Sequence, residues 1–407
     1  MKFCLIGQTL SHSYSAILHR ALGADYSLVE VAEGMLGDFA KNNIYDGYNV
    51  TIPYKSAIMP YLDALSPLAD RLGAVNTVCR QEGRTVGYNT DYAGFLGALD
   101  YYRVDVKGRH ALVLGTGGAG KMAATALADK GATVTVVSRS GKVNYDNVYD
   151  QKDVRLIVNA TPVGTFPHID QTPLDVSRFD GLQFVYDLVY NPYRTRLMLD
   201  AMAVGAEAQN GLAMLVIQAL EARKLWTDAS YAAGDVRRLV ATLAKQTLNV
   251  ALVGMPSAGK STVGKLVASG LGRPFVDTDR RITERTGRTP RQIIEEDGED
   301  AFREVEAAVV REVCAMRGVV IALGGGAILR AETRTLLKQT AMTALLLRDL
   351  SALSTEDRPT LQREGAEALY RRRAPLYRAV QDLTVSNQGT PQQCAQQIID
   401  AYENFGN

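Results

Sequence analysis

NVALVGMPSAGKS, residues 249–261, decides the fold of the half of the chain that contains it. Asn249–Val253 is a short apolar run of strand character, and it breaks at Gly254 into G-x-x-x-x-G-K-S. A strand that turns through such a loop into a helical pattern is a phosphate-binding loop. The backbone of Gly254, Met255, Pro256, Ser257, Ala258 and Gly259 wraps the phosphates. Lys260 reaches the β and γ groups, and Ser261, followed by Thr262, ligates Mg²⁺. The loop alone leaves the phosphoryl acceptor open.

A different glycine turn lies about one domain upstream. ALVL (111–114) runs into Gly115-Thr116-Gly117-Gly118-Ala119-Gly120, which opens the helical pattern GKMAATALADKG (120–131). Three glycines between a strand and a helix let backbone approach a pyrophosphate at the helix N-terminus. The next strand pattern ends in Ser138-Arg139-Ser140, with Lys142 nearby, where a ribose-binding acid would stand. A basic, hydroxyl-rich end suits a 2′-phosphate, so NADP is expected over NAD. Two phosphate-cradling turns imply two nucleotide sites on one chain.

The rest of the composition narrows the class. The 407 residues suit two or three domains. With 45 Lys and Arg against 44 Asp and Glu, the net charge of +1 gives no electrostatic footprint for nucleic acid or an anionic membrane. No apolar run reaches transmembrane length, and the strand-like start MKFCLIG does not read as a secretion signal. Cys4, Cys79, Cys314 and Cys394 and the four histidines form no metal or disulfide spacing, so a reduced cytoplasmic enzyme is expected.

Strand patterns at KFCLIG, YSLVEV, YNVTIP and AVNTVCR alternate with helical segments and predict a parallel sheet. ALVLG (111–115), TVTVVSR (133–139), LIVNAT (156–161) and FVYDLVY (184–190) make a second series. Helical segments then dominate from Gly211 to about Leu248. NVALVG, RPFVDTD, VVIALGGG, TALLLR and DLTVS make a third series, reached with almost no linker. The fold class is α/β throughout, and the two halves are expected to be close neighbours.

Within the first half, SHSYS (11–15), NVTIPYK (49–55), AVNT (74–77), GYNTDYAGF (87–95), NATPVG (159–164) and GLAMLVIQA (211–219) recur in one order. Residues 1–245 thereby resemble shikimate dehydrogenase. The resemblance implies a substrate-binding part at 1–92 and 211–245 around a Rossmann NADP part at 93–210. It implies Lys55 and Asp91 as the catalytic pair, and Ser13 and Ser15 on the substrate carboxylate. Thr51, Asn76 and Gln218 would bind the ring hydroxyls, Tyr190 would lie at the same pocket, and Asn159-Ala160-Thr161 and Gly211 would flank the nicotinamide. A lysine at a ketone is chemically apt, because hydride addition builds alkoxide charge that an ammonium stabilises and protonates. Ala16 stands where that family usually has proline, and Tyr88 where an acid is common. Both departures predict altered loop packing at most.

In the second half, Asp277-Thr278-Asp279, Phe302-Arg303, Gly324-Gly325-Gly326, Arg358-Pro359 and RRAPLY ending at Tyr377 follow the phosphate loop in order. Residues 248–407 thereby resemble shikimate kinase, a phosphate-loop fold on a parallel sheet. The resemblance implies that Asp279 takes the acceptor hydroxyl, that Arg303 and Arg373 clamp the carboxylate, and that Gly324, Gly325 and Gly326 line the ring. Arg358 would reach the transferring phosphoryl group from a lid, and Asp277 would join Ser261 near Mg²⁺. Only RDLSALSTED separates the strand TALLL from Arg358, a shorter lid than usual that lacks the arginine the family sets near the adenine.

The expected function is therefore bifunctional. NADPH reduces 3-dehydroshikimate to shikimate, then ATP phosphorylates shikimate to shikimate 3-phosphate, on the route to chorismate and aromatic amino acids.

Overall fold

A computed structural model describes residues 1–10, 14–354 and 359–405. The chain divides into two compact units. The first holds Met1–Asn191 and Thr195–Leu243, the second Pro192–Arg194 and Ala244–Asn407.

The first unit contains two sheets. One is six-stranded, built from β1 (Lys2–Gly7), β2 (Asp25–Glu30), β3 (Gly47–Val50), β4 (Ala64–Leu65), β5 (Thr77–Gln81) and β6 (Arg84–Tyr88) in the order β2-β1-β3-β5-β6-β4. The alternation predicted an all-parallel sheet here, and the structure corrects that. β5 runs antiparallel to both β3 and β6. The chain passes from β5 into β6 through a two-residue turn, Glu82-Gly83, whose φ values of 50° and 79° are both left-handed. Such turns match the twist of a hairpin and fold the chain straight back. β4 and β6 lay outside the expected strands.

The second sheet is parallel throughout. It comprises β7 (His110–Leu114), β8 (Thr133–Val137), β9 (Val154–Asn159), β10 (Phe184–Asp187) and β11 (Glu207–Asn210), in the order β11-β10-β9-β7-β8. Ala111–Leu114 are fully buried, as expected of a strand covered on both faces. The chain order reverses on either side of β7, so the crevice beyond its carboxyl end lies at the glycine turn. FVYDLVY is a strand only to Asp187; Leu188–Tyr190 leave the sheet.

The second unit carries a five-stranded parallel sheet. Its strands are β12 (Asn249–Gly254), β13 (Phe275–Asp277), β14 (Val320–Ala322), β15 (Ala341–Leu347) and β16 (Leu383–Ser386), in the order β13-β14-β12-β15-β16. β12 is central, and the phosphate loop follows it into the helix Lys260–Leu271. Between the helix Ala233–Thr247 and β12 lies the single residue Leu248, so no spacer separates them. Among the described residues no helix is long and apolar enough to cross a membrane.

Candidate active sites

In the first unit a cavity of about 390 Å³ opens beyond the carboxyl end of β3 and beside the glycine turn. Lys55, on the short helix Tyr54–Ala57, projects into it. Its Nζ donates to Asp91 Oδ2 at 2.6 Å. Asp91 sits in the first turn of the helix Thr90–Tyr101, where the N-terminal dipole favours a carboxylate. Asn89 caps that helix, its Oδ1 accepting from Tyr92 N at 3.3 Å.

The second oxygen of Asp91 is held by Asn76, whose Nδ2 donates to Oδ1 at 2.9 Å. The same amide reaches Thr90 Oγ1 at 3.0 Å and Gln218 Oε1 at 3.5 Å. Asn76 Oδ1 in turn accepts from Thr90 N at 2.7 Å. Expected residues from three distant segments thus meet in one network. Ser15, Thr51, Tyr190, Ala119 and Gly211 also line the cavity. Ser13 lies outside the described residues. Asn49 is a lining residue that the motif reading passed over. Its buried amide donates to Asn76 O at 3.2 Å and Thr77 Oγ1 at 3.0 Å, while Tyr26 Oη donates to it at 2.7 Å. The signal was its place in NVTIPYK, two residues before Thr51.

The glycine turn leads into the helix Gly118–Asp129. Gly115 adopts φ 103°, open to few residues other than glycine. A Cβ on Gly120 would collide with the Gly115 carbonyl, whereas one on Gly117 or Gly118 would meet nothing within 4 Å. The turn is therefore tight on its inner side and approachable on its outer side, as a pyrophosphate requires. Beyond β8, Ser138, Arg139 and Ser140 form a turn in which Gly141 N donates to Ser138 O, and no acid stands at the strand end. Asn159 ends β9, and Ala160 and Thr161 follow it beside Gly115 of the glycine turn. Thr161 N and Oγ1 both donate to Asn159 Oδ1, at 3.0 and 2.6 Å.

In the second unit a cavity of about 670 Å³ reaches from the phosphate loop to Asp279, Arg303 and Arg373. Lys260 Nζ donates to the carbonyls of Gly254 and Met255 at 3.0 and 2.8 Å. Ser257 and Gly259 hold φ values of 63° and 92°, which turn the loop. Ser261 Oγ donates to Asp277 Oδ2 at 2.5 Å. Asp277 Oδ1 caps the helix Thr278–Thr286, accepting from Asp279 N at 3.0 Å.

Asp279, Arg303, Arg373 and the three glycines line the same cavity. A Cβ on Gly324 would come within 2.9 Å of Asp279 Oδ1, and one on Gly326 would collide with the Arg303 guanidinium. Side chains there would crowd Asp279 and Arg303 in the cavity. Sequence reading missed Glu306, which is 3% exposed and accepts from Arg303 Nη1 at 2.6 Å. Burial pushes its carboxyl up, while Arg303 opposes the shift. The signal was F-R-x-x-E, which puts Glu306 three residues on along one helix face.

Arg373 is 2% exposed, and its Nε has no hydrogen-bond partner. Burial pushes its pKa down, the mark of a cation short of counter-charge. Arg303 is paired with Glu306 at 2.6 Å and Glu299 at 3.1 Å, whereas the buried Arg373 Nε beside it is left for an anion. Arg358 lies outside the described residues. Arg348, at the end of β15, lines the cavity and donates to Ser257 O at 3.3 Å.

Among the described residues no cluster of three His, Cys, Asp or Glu could hold a metal. Mg²⁺ needs no such cage, since it keeps waters and takes phosphate oxygens beside one or two protein groups. The Ser261–Asp277 pair fits that mode.

Comparison with known proteins agrees with both geometries. The family model for the shikimate dehydrogenase substrate binding domain matches residues 5–78, and the model for shikimate kinase matches residues 256–403. Shikimate dehydrogenase (NADP(+)) of Clostridium botulinum is 37% identical over 244 residues, 54% of this chain and 95% of that protein. Its counterpart in Bacillus cereus is 34% identical, over 58% of this chain and 96% of that protein. Among solved structures, the Thermus thermophilus shikimate 5-dehydrogenase in complex with NADP(H) and shikimate superposes with a TM-score of 0.55 at 33% identity, covering 60% of this chain and 99% of that one. A quinate dehydrogenase from Corynebacterium glutamicum in complex with NAD gives 0.54 at 29% identity, over 60% of this chain and 99% of that one. The chain belongs to the shikimate dehydrogenase family and carries, after that half, a shikimate kinase domain.

Proposed function

We propose that the chain catalyses two consecutive steps on one small molecule. It reduces 3-dehydroshikimate to shikimate with NADPH, then phosphorylates shikimate with ATP. The observation that carries the reading is that each unit has its own phosphate-binding glycine turn, opening on its own array of donors for a hydroxylated carboxylic acid.

In the first cavity, Thr51, Asn76 and Gln218 offer neutral hydrogen bonds to ring hydroxyls, and Ser15, with Ser13, offers hydroxyls to the carboxylate. Such a hydroxyl-matched site rejects analogues that lack the hydroxyl. NADPH, once bound, supplies the hydride. Gly115–Gly120 would hold its pyrophosphate, Ser138, Arg139 and Ser140 its 2′-phosphate, and Asn159–Thr161 and Gly211 its nicotinamide end. Lys55 Nζ gives its proton to the ketone oxygen as negative charge grows there, and recovers one from solvent afterwards. Asp91 keeps that ammonium aimed, with Asn76 fixing the carboxylate.

In the second cavity, Arg303 and Arg373 would grip the substrate carboxylate. Bidentate guanidinium contacts supply both charge and orientation. The acceptor hydroxyl gives its proton to Asp279 as the new O–P bond forms. MgATP, once bound, supplies the γ-phosphoryl group. Lys260 would neutralise the β- and γ-phosphate oxygens, and Ser261 and Asp277 would hold Mg²⁺. Arg358 is assigned to the transferring group on the motif alone.

The test supplies 3-dehydroshikimate, NADPH, ATP and Mg²⁺ together. Equal amounts of NADPH oxidised, ADP released and phosphorylated product formed are expected. Oxidation without phosphorylated product would remove the kinase reading. Faster turnover of quinate with NAD would remove the substrate assignment.

A further inference from the structure

Asp187, the last residue of β10, is fully buried, and none of the motifs assigns it a role. Three donors converge on its carboxyl. Asn159 Nδ2 donates to Oδ1 at 2.9 Å, Val189 N to Oδ1 at 3.1 Å, and Thr195 Oγ1 to Oδ2 at 2.6 Å. Asn159 and Thr195 are themselves 0% exposed. A carboxyl so deep costs several kcal/mol unless its hydrogen bonds are complete, so its neighbours are held as tightly as it is.

What those neighbours carry gives the cluster its meaning. Asn159 uses its other end, Oδ1, to hold Thr161 N and Oγ1. Thr161 and Ala160 press on the glycine turn, where a Cβ at Gly115 would lie 3.1 Å from Thr161 Cγ2 and 3.3 Å from Ala160 O. On the opposite side, Val189 stands between Leu188 and Tyr190, two cavity-lining residues. Its carbonyl accepts from Gly211 N at 3.2 Å, and Gly211 lines the same cavity. Leu188 N closes the ring by donating to Asn159 O at 2.9 Å.

We propose that Asp187 is a positioning residue for reduction, locking the loop Asn159–Val163 beside the glycine turn to the segment Leu188–Tyr190 that walls the substrate cavity. The proposal rests on the dehydrogenase reading above. Through this carboxyl, the wall against the nicotinamide end and the wall against the substrate ring move as one body. Hydride transfer tolerates little error in that spacing, since a misplacement of about 1 Å costs on the order of a hundredfold. The contact partners are neutral, and no charged side chain contributes to the carboxyl's shift. Burial raises it to about 7 against the pull of Thr195, Val189 and Asn159.

The test uses the full chain with Asp187→Asn, which keeps the shape but places an amide against donors, and with Thr195→Val, which removes one of the three. Trp226, the only tryptophan, lies in the first unit and reports its folding. NADPH titration counts competent sites. The expected result for Asp187→Asn is one NADPH per chain, bound within about threefold of wild type, with kcat for reduction down at least about tenfold. Thr195→Val should lose several-fold in the same step. A turnover per bound NADPH within twofold of wild type in either folded variant overturns the proposal. Absence of NADPH oxidation by the wild type would instead overturn the dehydrogenase reading itself.

Discussion

Lys55 and Asp91 are joined at 2.6 Å across two elements 36 residues apart, and Asn76 occupies the carboxylate oxygen that Lys55 leaves. Both oxygens of the carboxylate are thereby held, and Lys55 lines the cavity that also holds Gln218 and Thr51. Lys260 is held comparably in its own unit by two loop carbonyls.

Each constellation draws its described residues from one unit, so the two activities should separate cleanly. Lys55→Ala should abolish reduction and leave phosphorylation within a few-fold; Lys260→Ala should do the reverse. Steady-state assays of both steps on each variant check this. One substitution silencing both steps in folded protein would contradict it.

NADPH should be preferred strongly to NADH, because Ser138-Arg139-Ser140 follows β8 where a ribose-binding acid would otherwise stand. Arg139→Ala should weaken NADPH by about 1–3 kcal/mol, the usual scale for a lost hydrogen bond to a charged group, and hardly affect NADH. The ratio of kcat/KM for the two cofactors is the measurement. Equal wild-type values would rule the preference out.

Arg373 is expected to trade stability for binding. A buried guanidinium with an unpartnered Nε is costly in the unliganded unit. Arg373→Met should therefore leave that unit as stable as wild type or more so, while raising KM for shikimate by at least about a hundredfold, the scale of a lost buried ionic contact. KM for ATP should stay within a few-fold. Thermal melts with and without shikimate distinguish this from simple damage, since only wild type should gain stability from the ligand.

Asp187 gives the first unit a pH-dependent term of definite sign. Its carboxyl titrates near 7 when folded and near the ordinary 3.8 when unfolded, so the folded state binds more protons between those values. Stability from this group is complete below about pH 4 and is lost as pH rises through 7, by at most on the order of 4 kcal/mol. Urea unfolding followed by Trp226 should show Asp187→Asn gaining on wild type between pH 5 and pH 8. A constant difference across that range would refute the assignment.

Both glycine turns were legible because their chemistry is local: a strand, a few glycines and a helix within about twenty residues. The ordered motifs then located Asn76, Asp91 and Gln218, which the fold brings into one network although up to 142 residues separate them. Asp187 escaped notice because nothing nearby in sequence marks it. Its meaning lies in Asn159, 28 residues away, and in burial that no motif records. Glu306 was hidden differently, as one acid among several on a charged helix, set apart only by facing inward. The antiparallel course of β5 was missed because the pattern of AVNTVCR marks a strand and not its direction.

The two cavities share no lining residue, the first being built between Leu5 and Gln218 and the second between Pro256 and Arg373. Shikimate is small, charged and hydroxylated, so once released it is stabilised by water and diffuses freely. The lid implied by the resemblance to shikimate kinase is also short in sequence, and a smaller cover would sequester a site less completely. Shikimate made by the first unit should therefore mix with the bulk pool before it is phosphorylated. The experiment supplies labelled 3-dehydroshikimate, NADPH and MgATP together with excess unlabelled shikimate. Label in shikimate 3-phosphate should fall in proportion to the dilution from the first turnovers onward. Product that kept its full label against a large excess would show direct transfer and defeat this prediction.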